Sequence, residues 1–234
     1  IIFTMMPQSV EMLEKVNHSL PIVVIGDRNT SLNVDTVELG NYSAGMLVGR
    51  HMLDLGHRHI AFISTTLNSA NAKRIRRLNG VQAVYAEAQD ASVQVLARDI
   101  TPQEELNDIG IEHRTGYELT LECLKRRSRI SGIVAVNDFV AYGVPDALEE
   151  KGLRVPEDYS VCGFDNLSES RFWSVGLTSV EHHIEEKGRN AFSMLYERMT
   201  GTGTPHNITR VEFSHHLLEK RTTAPYVRQK HEND

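Results

Sequence analysis

The sequence predicts an α/β fold built on parallel sheets, and two observations predict it. Short apolar runs alternate with amphipathic stretches along nearly the whole chain, and the runs are apolar at consecutive positions rather than at every second one. A strand that is apolar on both faces belongs in a sheet covered on both sides, which is the usual setting of parallel strands joined by helices. About seven strands are expected, with no low-complexity linker between them.

The elements follow in order. Residues 21–27 (Pro-Ile-Val-Val-Ile-Gly-Asp) read as a short buried strand. Asn41 is placed to cap a helix whose positions Ala44, Leu47, Val48, His51 and Leu55 follow the 3.6-residue period, and Gly56 supplies its left-handed stop. Residues 60–64 are the next strand, 72–89 a helix, 93–97 a strand and 114–126 a helix. Gly132-Ile-Val-Ala-Val-Asn137 is a strand, and Asp138 opens a helix that closes at Gly152. Pro145 lies inside that helix, where it removes one backbone bond and is expected to kink it. Residues 159–165 form another strand, 183–200 a last long helix and 208–213 a last strand.

Composition narrows the function. Hydrophobic residues make up 40% and charged residues 24% of the 234, the profile of a globular protein with a proper core. No run approaches the ~18 apolar residues of a membrane span. The first residues, Ile1-Ile-Phe-Thr4, lack a basic segment and a cleavage site and begin inside an apolar run. Upstream sequence is therefore expected to be missing. Cys123 and Cys162, the two cysteines, read as reduced, buried thiols of a cytoplasmic protein. A formal net charge of −6 argues against this piece gripping nucleic acid by itself, since backbone binding needs clustered cations. The basic groups Lys73-Arg74 with Arg76-Arg77, and Lys125-Arg126-Arg127 with Arg129, lie at the start of one helix and the end of another, and a solvated face with helix-dipole complementarity explains the second well.

Polar residues collect where strands end: Thr4, Asp27, Ser64, Asn137-Asp138 and Asp165-Asn166. Ligands of open parallel sheets bind at that edge, because loops converge there and helix N-termini point inward. Asn137 and Asp165 end consecutive strands, and a carboxylate beside an amide offers fixed acceptors and donors. Asp138 and Asn166 read instead as caps of the elements that follow. Dinucleotide, phosphate-loop, serine-nucleophile and zinc-protease motifs are all absent. An enzyme is therefore not expected, nor a cofactor. His182-His183 and His215-His216 invite a metal, but neighbouring side chains diverge on a strand and no further ligand stands at the right spacing, so no metal site is expected.

Several motifs carry a resemblance. Leu55-Gly-His-Arg-His-Ile-Ala-Phe-Ile63, Arg77-Leu-Asn-Gly80, Ala135-Val-Asn-Asp-Phe-Val-Ala-Tyr-Gly143 and Gly152-Leu-Arg-Val-Pro-Glu-Asp-Tyr-Ser-Val-Cys-Gly-Phe-Asp165 resemble, in order, signatures of the LacI/GalR family of bacterial transcription regulators. Leu177-Thr-Ser-Val180 and Leu217 to Thr223 complete the series. The resemblance implies two Rossmann-like subdomains of the periplasmic-binding-protein-like type I, N-terminally truncated and without the family's helix-turn-helix. It assigns residues 1–64 plus 182–216 to the first subdomain and 65–181 plus 217–234 to the second.

The family's pattern also implies a function. A small-molecule effector, sugar-like or similar, is expected in the cleft between subdomains, where it would control binding of operator DNA by the missing head of a homodimer. Arg77, Asn137 and Asp165 match effector contacts. Thr4, at the end of the first strand, and His182, at a crossover, are further candidates. Ile111 stands where many members stack an aromatic ring on the ligand, Leu39-Gly40 replaces a usual Asp-Asn, and Lys220 replaces a usual Arg. Phe172 and Trp173 are expected at the dimer interface. A solute-binding protein of a transport system, which shares the fold, is the alternative.

Overall fold

The computed structural model describes residues 1–4, 10–26, 33–126, 129–171, 176–202 and 207–227. Among these the chain runs β1 (Ile2–Phe3), α1 (Val10–Asn17), β2 (Val23–Gly26), β3 (Asp35–Glu38), α2 (Asn41–Asp54), β4 (His59–Thr65), α3 (Ala72–Ala86) and β5 (Ser92–Arg98). It continues through α4 (Pro102–Asn107), α5 (Ile111–Lys125), β6 (Gly132–Ala135), α6 (Asp138–Glu150), β7 (Ser160–Phe164), β8 (Thr178–Glu181), α7 (Ile184–Thr200), β9 (Arg210–Glu212) and β10 (His216–Leu218). Two short 3₁₀ turns lie at Ser69–Asn71 and Ser168–Arg171. The helix that holds Pro145 continues through it.

The chain divides into two compact units. One comprises Ile1–Gly40 and His182–His215, the other Asn41–Glu181 and the chain from His216. The boundary expected at residue 64 therefore lies at Gly40. Residues 41–64 belong with the second unit because β4 is the strand between β6 and β5 in its sheet, and α2 packs on α3. His216 moves for a similar reason, as β10 pairs with β8.

In the first unit the order is β1-β2-β3-β9, all parallel. Strand alternation sorts its core. Val24 faces a cluster with Leu13 of α1, while Val23 and Val37 face Ala191 and Met194 of α7. The polar strand β3 was not anticipated. Its Asp35 is buried, yet it accepts from Arg198 Nε (2.7 Å) and Nη2 (2.9 Å) and from the Thr209 amide (2.8 Å). A fork-on-carboxylate pair plus an amide donor meets the demand of a buried charge.

In the second unit the order is β10-β8-β7-β6-β4-β5, parallel except for β10. The central strands are buried along most of their length. Register shows that helices cover both faces. A Cβ on Gly132 would meet Met52 of α2, and one on Gly163 would meet Asp138 and Ala141 of α6. Gly132 pairs with Ser160, so the β6 residue level with Gly163 is Ala135. That is three positions from Gly132 and hence on the opposite face. Cys123 and Cys162 are free and buried.

Two glycine crossings set the helices. A Cβ on Gly80 of α3 would lie 2.2 Å from the Tyr42 carbonyl oxygen, and one on Gly45 of α2 would lie 2.1 Å from that of Arg77. The pair α5 and α6 repeats the device, with Gly116 against the Val140 carbonyl and Gly143 against that of His113, each at 1.9 Å. Only backbones without side chains approach this closely.

The N-terminus of α6 corrects one sequence expectation. Its cap is Asn137, whose Oδ1 accepts from the Val140 amide at 2.9 Å. Asp138 instead turns inward, fully buried, accepting from Ser179 Oγ (2.6 Å) and from the Leu167 amide (2.9 Å). Burial pushes its carboxyl up to about 7, against the pull of those two donors.

Three outcomes follow. Gly80→Ala should lower stability by ~1–3 kcal/mol despite its gain in helix propensity, because the obstructing atoms are backbone. Gly188→Ala, in α7 with nothing near the added methyl, should raise it by ~0.5–1 kcal/mol. Urea unfolding of both variants checks the contrast, which disappears if the crossings are loose. For Asp138, the folded state keeps a proton that the unfolded chain releases near pH 4. Its contribution to stability therefore falls as pH rises toward 7 and levels off above it. Relative to the Asp138→Asn variant, the wild type should lose about 2 kcal/mol between pH 5 and pH 7. Parallel unfolding curves across that range would contradict the assignment.

Candidate functional site

The carboxyl ends of β4, β6 and β7 form one edge of the second unit's sheet, and the loops leaving them carry the polar side chains of interest. Arg77, one turn into α3, reaches that edge. Its Nε donates to Asn41 Oδ1 at 2.8 Å, Nη1 to the Val136 carbonyl at 2.7 Å and Nη2 to Asp165 Oδ1 at 2.7 Å. Its guanidinium carbon sits 5.0 Å from the centre of the Phe164 ring. One cation thus ties the start of α2 to the turn after β6 and the end of β7.

Asp165 reaches this position through an uncommon backbone, with φ of 109° followed by 47° at Asn166. Such conformations persist where surrounding bonds enforce them. Here the Asp165 amide donates to the Val180 carbonyl, and the Asn166 amide donates to Ser179 Oγ. Asn166 is no cap. Its Nδ2 donates to Glu181 Oε2 (2.5 Å), and its Oδ1 accepts from Lys220 Nζ (2.8 Å). Lys220 therefore braces the loop beyond β7 and also donates to Ser170.

Asn137 lies beside this arrangement and is fixed at both ends of its amide. While its oxygen caps α6, its Nδ2 donates to Glu112 Oε1 at 2.9 Å. Glu112 also faces Arg74 Nη2 at 3.4 Å, and Arg74 in turn pairs with Glu105 at 2.9 Å. The glycine crossing of α5 and α6 brings Glu112 to Asn137, as that of α2 and α3 brings Asn41 to Arg77. At the end of β4, the hydroxyls of Ser64 and Thr65 are buried without a hydrogen-bond partner among the described residues.

The structure brings Arg77, Asn137 and Asp165 to one edge, and adds Asn41, Arg74, Glu105 and Glu112. The sequence marks Asn41 only as a helix cap and Arg74 only as part of a basic patch at the start of a helix. Glu112 stands beside the singled-out Ile111, the nearest hint in the sequence. Ile111 itself is buried at the start of α5 and lines a hollow of about 420 Å³ with Arg98, Thr101, Asp108 and Arg114. That lining includes none of Arg77, Asn137 and Asp165.

Thr4 and His182 belong to the first unit. Thr4 is exposed just after β1, and His182 is buried with its ring 4.9 Å from that of His215, edge to face. Asp27, Phe172 and Trp173 lie outside the described residues. Among the described residues no three His, Cys, Asp or Glu side chains are grouped to hold a metal ion, and no helix is long and apolar enough to cross a membrane.

Comparison with known proteins places this edge in context. Residues 49–223 match the model of the periplasmic binding protein-like domain. The chain is 32% identical over 180 residues to the HTH-type transcriptional repressor PurR of Mannheimia succiniciproducens, covering 77% of this chain and 51% of that one. It is 31% identical over 226 residues to PurR of Pectobacterium carotovorum, covering 94% and 62%. The chain thus spans about half the length of the curated relatives it matches. Among solved structures, a LacI family transcriptional regulator from Enterococcus faecium with bound ribose superposes with a TM-score of 0.73 at 25% identity, covering 92% of this chain and 76% of that one. With a family match over most of its length, and the parallel sheet edge that goes with it, the chain belongs to the periplasmic binding protein-like domain family, as a core of the LacI/GalR type.

Proposed function

We propose that the chain is the effector-sensing part of a transcription regulator. A small polar metabolite binds at the carboxyl edge of the second unit's sheet, and its binding controls operator recognition by a DNA-reading segment of the whole protein. The observation that carries this reading is the convergence of Arg77, Asp165 and Asn137 on one strand edge, each pinned by a partner at 2.7–2.9 Å. Pinned polar groups bind at low entropic cost, because they are already ordered before the ligand arrives. The repressor relatives and the ribose-bound neighbour support binding over turnover, and they favour a regulator over a transport protein. Homodimerisation and a cytoplasmic setting belong to the same reading. Whatever the metabolite, it shifts a conformational equilibrium only by its differential affinity for the two states.

Calorimetric titration of the chain with sugars, nucleobases and amino acids tests the proposal, followed by Arg77→Ala. Removing the guanidinium deletes the hydrogen bonds to Asn41, the Val136 carbonyl and the Asp165 carboxylate. Affinity for the ligand that binds should fall at least ~30-fold, equivalent to about 2 kcal/mol. A variant that unfolds at the wild-type urea concentration and binds with unchanged affinity would place the site elsewhere.

A further inference from the structure

We infer that residues 99–110 form a strap that closes over the metabolite site, and that Leu106 and Ile109 supply its apolar contact with the bound molecule. This rests on the reading of the sheet edge as that site.

The strap leaves the edge and returns to it. Arg98 pairs with Thr65, so β5 delivers the chain beside the end of β4. Ile100 is buried and fastened there: its amide donates to Thr66 Oγ1 at 2.8 Å, and Thr66 Oγ1 donates to its carbonyl at 3.0 Å. At the far end Ile111 is buried, and its neighbour Glu112 accepts from Asn137 Nδ2 at 2.9 Å. Between these anchors α4 has no buried residue, and Thr101 to Asn107 are all exposed. The helix stands across the hollow of about 420 Å³, walled by Thr101, Gln103, Glu104 and Asn107 of the strap and by Ile111 and Arg114 of α5.

The strap is nonetheless ordered by its own residues. Thr101 and Glu104 form a reciprocal capping box, and Pro102 opens the helix. Among the described residues, α4 makes one hydrogen bond to the rest of the chain, from Arg74 Nη2 to Glu105 Oε1 at 2.9 Å. The same guanidinium faces Glu112 at 3.4 Å, so the tether leads to the partner of Asn137. A preformed helix without packed side chains, held by one half-exposed tether, shifts at low free-energy cost. Leu106 is 80% exposed and Ile109 fully so, and neither lines the hollow. Their apolar area is buried only when the strap moves against something else. Because both anchors belong to the carboxyl edge, that edge is what the strap sweeps across, and a metabolite seated there is what it meets.

The test compares the wild type with Leu106→Ser/Ile109→Ser, by calorimetry and stopped-flow titration of the whole chain with ribose, glucose, hypoxanthine, cytosine and glutamate. Since both side chains face solvent in the free protein, the double variant should unfold at the wild-type urea concentration. Its affinity for the best binder of the panel should fall at least ~10-fold. The loss should lie in faster release, with association unchanged. Leu106→Met/Ile109→Val should stay within ~3-fold of the wild type. A glutamate-specific protease gives a second readout, cutting after Glu104 and Glu105. Saturating ligand should slow that cut at least ~10-fold in the wild type, and the slowing should be lost in the serine variant. Unchanged affinity in the serine variant overturns the strap, as does a cut that ligand leaves equally fast. The site itself then stands, provided that Arg77→Ala still weakens binding. If nothing in the panel binds, the site reading and the strap fall together.

Discussion

Three segments that are distant in sequence are tied to one guanidinium. Arg77 gathers the side chain of Asn41, the backbone of Val136 and the carboxylate of Asp165, and the geometry of the sheet edge depends on that convergence. The convergence depends in turn on distance. With any side chain at Gly45 or Gly80, α2 and α3 would have to move apart, and Asn41 would no longer meet Arg77 Nε. The same logic governs α5 and α6, whose glycines bring Glu112 within reach of Asn137. Residues that look like packing details thereby set the positions of polar groups.

Much of this was legible in the sequence. Central strands such as Gly132–Ala135 and Ser160–Phe164 were readable because burial on both faces leaves continuous apolar runs. Asn137 and Asp165 were legible as polar ends of consecutive strands and Arg77 by motif, and the structure gives that motif a physical content. In Arg77–Gly80 the arginine supplies the bonds and the glycine supplies the approach. Less legible were β3 and β8, short strands with acidic residues, because their burial is decided by partners far along the chain, such as Arg198 for Asp35. The unit boundary was misplaced because nothing local in residues 41–64 reveals that β4 pairs with both β5 and β6. Arg74 escaped notice because a basic doublet on a helix usually means solvent, whereas its two acidic partners come from later elements.

The acidic groups near the edge occupy two distinct environments. Asp138 lies under the sheet edge, is fully buried, and holds its proton to about pH 7 while bracing β8 and the loop after β7. Asp165, Glu112 and Glu105 stand nearer to solvent and beside guanidiniums. Two carboxyl groups only one strand apart thus serve different ends, one as a buried strut under the sheet edge and one as the acceptor of a guanidinium.

The pairing of β8 with β10 has a consequence for the architecture. Glu181 and His216 face one another across that antiparallel ladder, so the chain leaves the second unit and re-enters it at adjacent points. Residues 182–215 are in effect an insertion at the tip of a β-hairpin. A tight two-residue turn would close that hairpin as well, so the polypeptide from Asn41 onward is already laid out as a separable module, whose folding a short splice at that tip would leave topologically intact.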